Sequence, residues 1–166
     1  MAAAAAPRDG EVERAPRFRV PSDASRKHRE RPMASNKEIV QQWFDCIARD
    51  DAAGAIALFA EDIVYHLKGS TPVSGSYHGM KSIVNDFFTP WRKQIDGKLV
   101  VTVDELIGEG ERVVALGRGA ALTIHGLPYN NEYAFVFRVR NGLITEVSEY
   151  LDTVLVETAA YGRRLV

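Results

Sequence analysis

The chain has 166 residues, 46% of them hydrophobic, which is enough for one domain with a sizeable core, and its formal charge is −1. Residues 1–32 carry eight Lys/Arg against five Asp/Glu and the remainder 13 against 17, so the folded part is mildly acidic and no nucleic-acid surface is expected. Cys46 is the single cysteine, no His/Cys cluster has zinc spacing, and no run approaches about 18 apolar residues, so the expectation is a reduced, cytoplasmic protein with no metal, no cofactor and no membrane span.

The Ala/Arg/Pro-rich stretch 1–34 has only scattered large apolar residues and reads as a disordered basic extension. It has neither the apolar run of a secretory signal nor the acid-poor composition of a transit peptide. A tail touching anionic surfaces and a true start at Met33 are both open readings.

Ser35 to Glu38 has the S-x-x-E form in which hydroxyl and carboxylate each satisfy a free backbone N–H, so a helix is expected from Asn36, with Ile39, Val40, Trp43, Phe44 and Ile47 on its inner face. "RDDAAGAIALFAED" reads as a second, shorter helix capped by Asp50 or Asp51, with Ile56 and Phe59 inward, and "IVYHLKG" as a short strand. "GSTPVSGSYHG" has loop composition. Met80, Ile83, Val84, Phe87, Phe88 and Trp91 then trace a third helix that Pro90 should end or kink.

From Lys98 the period changes to two, and four long strands follow, turned at "GEGE", "HGLPYN" and "RNG". Helices first and a strand meander after them imply an α+β domain over 35–156, with residues 157–166 as a C-terminal tail and the segment "VLVETAAYGRRLV" able to form a last helix.

The three helices, the short strand, the meander and the motifs "FAEDIVYHLKG", "GSYHG", "NEY" and "NGLITEVSEYLDT" resemble the nuclear transport factor 2 (NTF2-like) superfamily, and within it the SnoaL-like, ketosteroid-isomerase-related group. The resemblance implies a cone-shaped α+β barrel, with three N-terminal helices on a curved, mostly antiparallel sheet. It also implies a homodimer through the sheet face bearing Ala134, Val136, Arg138, Ser148 and Tyr150. Because this fold hosts several chemistries, function rests on the site.

Ketosteroid isomerase uses a carboxylate base and an oxyanion hole made of a Tyr and a protonated Asp. The resemblance puts its Tyr at Trp43, its base at Leu67 and its second acid at Phe135, none of which does the same work here. Limonene-epoxide hydrolase, which the chain also resembles, uses an Asp–Arg–Asp set; its Arg corresponds to Arg118, one Asp to Glu149, and the other to Ala120.

Strand alternation offers an independent reading. Val114, Leu116, Arg118, Ala120, Leu122 and Ile124 share one face, and Val147, Glu149 and Leu151 share another, so each stripe carries one charge of opposite sign. Burial would demand that they pair, which points to an Arg118/Glu149 polar centre in an apolar cavity. The alternative is an arginine at a strand end with its head in water. His66 alternates away from the cavity, whereas Tyr65 and Tyr133 point in.

The functional expectation is a pocket for a hydrophobic carbonyl compound, with Trp43, Leu67, Phe88, Trp91, Tyr133 and Phe135 as its walls. If catalytic, it is a cofactor-free isomerase, cyclase or dehydratase with Glu149 as proton shuttle, Arg118 as oxyanion stabiliser and Tyr65 or Tyr133 as orienting donor. The rivals are a non-catalytic ligand-binding or dimerisation module and an epoxide hydrolase with an incomplete site.

Overall fold

The computed structural model describes residues 34–164. The expected extension therefore lies, apart from Ala34, outside the described residues. Helix α1 (Asn36–Ala48) begins with the anticipated capping box: the Ser35 N–H donates to Glu38 Oε2 at 2.6 Å, and the Glu38 N–H donates to Ser35 Oγ at 3.3 Å. Its buried stripe is Ile39, Val40, Trp43, Phe44 and Cys46. Helix α2 (Ala52–Ala57) is capped by Asp51, which accepts from the Gly54 N–H at 2.8 Å. It is shorter than expected: Ile56 is exposed, and Phe59 already belongs to a strand.

Strands β1 (Phe59–Leu67), β2 (Gly75–His78), β3 (Ile95–Glu109), β4 (Arg112–Thr123), β5 (Pro128–Arg140) and β6 (Leu143–Leu151) form one curved sheet in the order β2-β1-β6-β5-β4-β3. Every pairing is antiparallel except β1 with β6. The sheet does not close, so β2 and β3 are its edges. β2 occupies "GSYH", a stretch whose composition indicates loop; its pairing with β1 supplies the backbone partners that local propensity does not.

The third helical stretch spans 79–92 in three pieces: α3 (Gly79–Ser82), a π-helical turn (Ile83–Phe88), and α4 (Thr89–Arg92). The stretch runs two residues past Pro90, to Arg92, and Pro90 follows almost directly on the π-helical turn, where the backbone hydrogen-bond ladder is already shifted. A last helical piece, α5 (Thr153–Leu155), is capped by Asp152 and runs into a second π-helical turn (Val156–Ala160). Ala159 and Ala160 are buried, so packed chain continues past residue 156.

The helices cover the concave face of the sheet, where Val40, Ile63, Val113, Phe137, Ile144 and Val147 are fully buried. Trp43, Phe44, Phe135 and Phe137 interlock edge to face, with centroids 5.4–5.7 Å apart for Phe44/Phe135, Phe44/Phe137 and Trp43/Phe137. No helix among the described residues is long and apolar enough to cross a membrane.

Candidate active-site cavity

Between the helices and the inner sheet face lies a cavity of about 820 Å³. All six expected wall residues line it: Trp43 from α1, Leu67 from β1, Phe88 and Trp91 from the third helical stretch, and Tyr133 and Phe135 from β5. Tyr65 and Glu149 line it as well.

Sheet register explains why these groups meet. Leu67 lies beside Glu149 in the parallel β1/β6 pair, and Phe135 lies opposite Glu149 in the antiparallel β5/β6 pair. Leu67, Glu149 and Phe135 therefore form one row across three strands, all buried. The two strand positions that the isomerase resemblance assigns to acids are apolar, and the carboxylate stands on the strand between them. Tyr65, two residues before Leu67, reaches the same carboxylate: its hydroxyl donates to Glu149 Oε2 at 2.6 Å.

Burial dominates the electrostatics here. Glu149 is pushed up to about 7 from its ordinary 4.5 by loss of water around its charged form, which the Tyr65 hydrogen bond opposes. Tyr65 is raised well above the ordinary phenol range by burial and by the adjoining carboxylate, so it stays protonated and remains a donor.

A second polar group was not visible in the sequence. Asn131 Nδ2 donates to the Tyr129 hydroxyl at 2.8 Å and to the Asp152 carbonyl at 3.1 Å, while the Asp152 N–H donates to Asn131 Oδ1 at 2.9 Å. Tyr133 lies two residues beyond Asn131 on the same inward stripe, and the Tyr129 and Tyr133 phenols are both raised chiefly by burial, Tyr129 to about 12. Both rings line the cavity, and each hydroxyl carries one O–H to donate. Tyr129 and Asn131 continue the inward alternation of Tyr133 and Phe135, a signal masked by the turn composition of "HGLPYN"; β5 in fact starts at Pro128. Trp43 Nε1 is buried with no partner among the described residues.

Arg118 is a correction. It lies on the outer face of β4, with 65% of its side chain exposed, and donates through Nε and Nη2 to Asp104 at 2.9 and 2.7 Å. It neither lines the cavity nor meets Glu149, so the structure does not assemble the expected Arg118/Glu149 centre. The inward stripe of β4 is the other one: Val113, Ala115, Gly117 and Gly119 are its buried or backbone-only positions. The choice is steric. A Cβ on Gly119 would stand 2.6 Å from the Tyr133 ring and 2.9 Å from its hydroxyl, and one on Gly117 would stand 2.5 Å from the Thr102 carbonyl oxygen. β4 supplies small residues inward because β5 supplies large rings beside them. A β-bulge between Val103 and Glu105 sets Asp104 on the outer face within reach of Arg118.

His66 points away from the cavity as alternation requires, its Nδ1 being 2.7 Å from Ser76 Oγ. Asp152 acts as a backbone cap. Among the described residues no group of His, Cys, Asp and Glu is placed to hold a metal ion.

Comparison with known proteins agrees with this fold. The SnoaL-like domain family matches residues 40–147. Solved structures of similar fold include an NTF2-like protein from Burkholderia thailandensis, 27% identical with a TM-score of 0.71, over 76% of this chain and 98% of that one. Another is an NTF2-like protein of unknown function from Burkholderia pseudomallei, 23% identical with a TM-score of 0.70, over 76% and 98% of the two chains. A protein from Jannaschia described as a putative SnoaL-like polyketide cyclase is 17% identical with a TM-score of 0.66, over 80% and 96%. Comparison with curated proteins finds no match. With its six-stranded sheet, its helical cover and the match over most of the folded region, the chain belongs to the SnoaL-like domain family of the NTF2-like superfamily.

Proposed function

We propose that the cavity binds a hydrophobic carbonyl compound and that Glu149 moves a proton on it without a cofactor, in an isomerisation, cyclisation or dehydration. One observation carries this reading: a carboxyl held at 2.6 Å by a buried tyrosine on the wall of an apolar cavity, with a proton affinity near neutrality. A general base works best when its pKa lies near the working pH, because it is then ionised in a large fraction of molecules and still holds a proton firmly. The ionised carboxylate would take a proton from the carbon next to the carbonyl. The resulting enolate oxygen needs a donor, and the hydroxyls of Tyr129 and Tyr133, whose rings line the cavity, are the candidates. Arg118 has no part in this scheme.

A non-catalytic binding module is the second reading, favoured by the apolar groups at Leu67 and Phe135. The epoxide-hydrolase reading loses support, since it needs Arg118 beside Glu149. Solvent-deuterium exchange into a panel of hydrophobic ketones, followed by NMR, separates the first two. Exchange that rises through pH 7 and disappears in Glu149→Gln supports proton chemistry; binding without exchange supports the module.

We propose further that two copies pair through the outer sheet face, where Leu116, Leu122 and Tyr150 are exposed.

A further inference from the structure

The cavity is apolar inside but not at its opening. Its exposed lining residues are Asp50, Thr89, Arg92, Lys93 and Lys98, whereas Glu149 and Tyr65 are buried, so the exposed five mark the mouth. Lys98 is already engaged, donating to Asp50 Oδ2 at 2.8 Å and to the Ala48 carbonyl at 2.9 Å. Arg92 donates one N–H to the Ile95 carbonyl at 3.0 Å, which leaves its other N–H groups and its charge available. The Lys93 side chain makes no hydrogen bond or ion pair among the described residues. Thr89, Arg92 and Lys93 follow at i, i+3 and i+4, on one side of one helical turn. The mouth thus carries two cations without an acidic partner, in a domain whose folded part has 13 basic against 17 acidic residues.

We propose that the natural ligand is an amphipathic organic anion, its apolar body inside the cavity and its acidic headgroup at the mouth between Arg92 and Lys93. This rests on the cavity being a small-molecule site and adds the charge and the direction of the ligand. The headgroup stays outside because the buried end of the cavity offers another acid, Glu149, and no cation. The reacting carbonyl then lies at the end remote from the headgroup, beside Glu149 and the tyrosine pair. The mouth selects by charge, and the walls select by shape.

Two fluorescent probes test this directly: 1-anilinonaphthalene-8-sulfonate, and N-phenyl-1-naphthylamine, which has the same rings without the sulfonate. Both are titrated into the full chain at low salt, with quenching of Trp43 and Trp91 fluorescence reporting occupancy of the cavity. The anionic probe is expected to bind about fivefold to tenfold more tightly, the range for a pair of exposed charge contacts. Added salt should erode that preference. Lys93→Glu and Arg92→Gln should each remove it, read as the ratio of the two probes' affinities in the same variant; Lys93→Glu breaks no side-chain hydrogen bond or ion pair among the described residues. Equal binding of the two probes, or a preference that survives Lys93→Glu, overturns the proposal and leaves the small-molecule reading standing. If neither probe quenches the tryptophans, both fall.

Discussion

Tyr65 and Glu149, 84 positions apart in the chain, are joined by a 2.6 Å hydrogen bond across the one parallel strand pair of the sheet. The bond stabilises the charged carboxylate, while burial works against it more strongly. Tyr65→Phe should therefore raise the Glu149 titration midpoint further above 7. Carbon-13 NMR of the carboxyl measures it, and an unchanged midpoint would show that the phenol does not donate to the ionised form.

Folding stability should carry the imprint of the same group. Glu149 binds its proton more tightly folded, at about 7, than unfolded, near 4.5. Between those values the native state holds more protons than the unfolded chain, so stability falls as pH rises and levels off above 7. The contribution is about 3 kcal/mol in total, because each tenfold gain in proton affinity is worth about 1.4 kcal/mol. Urea denaturation of the parent and Glu149→Gln across pH 4–8 should show this slope in the first and its loss in the second.

Arg118→Met should leave melting temperature and the Glu149 titration unaltered, since the guanidinium is exposed and its partner is Asp104. A shift in the carboxyl midpoint would place the arginine near the cavity after all.

Gly119→Ala should act where Arg118→Met does not. The new methyl would stand 2.6 Å from the Tyr133 ring, so strand or ring must move, at a cost of about 1–3 kcal/mol. Denaturation curves with an unchanged slope and a lower midpoint are the expected result.

Light scattering at micromolar concentration should give the mass of a dimer. Tyr150→Glu together with Leu116→Glu, placing charges on the exposed sheet face, should give a monomer with an intact fold. A parent that is already monomeric would rule out the paired face.

Much of this protein is local and was legible in the chain alone. The Ser35/Glu38 box fixes where α1 starts because both partners lie within four residues, and the stripe Ile39, Val40, Trp43 and Phe44 faces inward because a 3.6-residue period has one apolar side. The inward turn of Tyr65 and Tyr133 also follows from alternation, since their strands carry a contrast between faces, and Glu149 shares the inward phase of Val147 and Leu151. β4 has no such contrast. Val114, Leu116 and Leu122 make the outer stripe the more hydrophobic one, while the inner stripe is Val113, Ala115, Gly117 and Gly119, so period two reports alternation without saying which phase is buried. Only the neighbouring strands decide that: the Tyr133 ring and the Leu99 side chain occupy the space on the concave side, so that glycine alone fits at 119 without a shift. For the same reason the link of Asn131 to Asp152, the strand at "GSYH" and the partnership of Arg118 with Asp104 emerge only when the strands lie side by side.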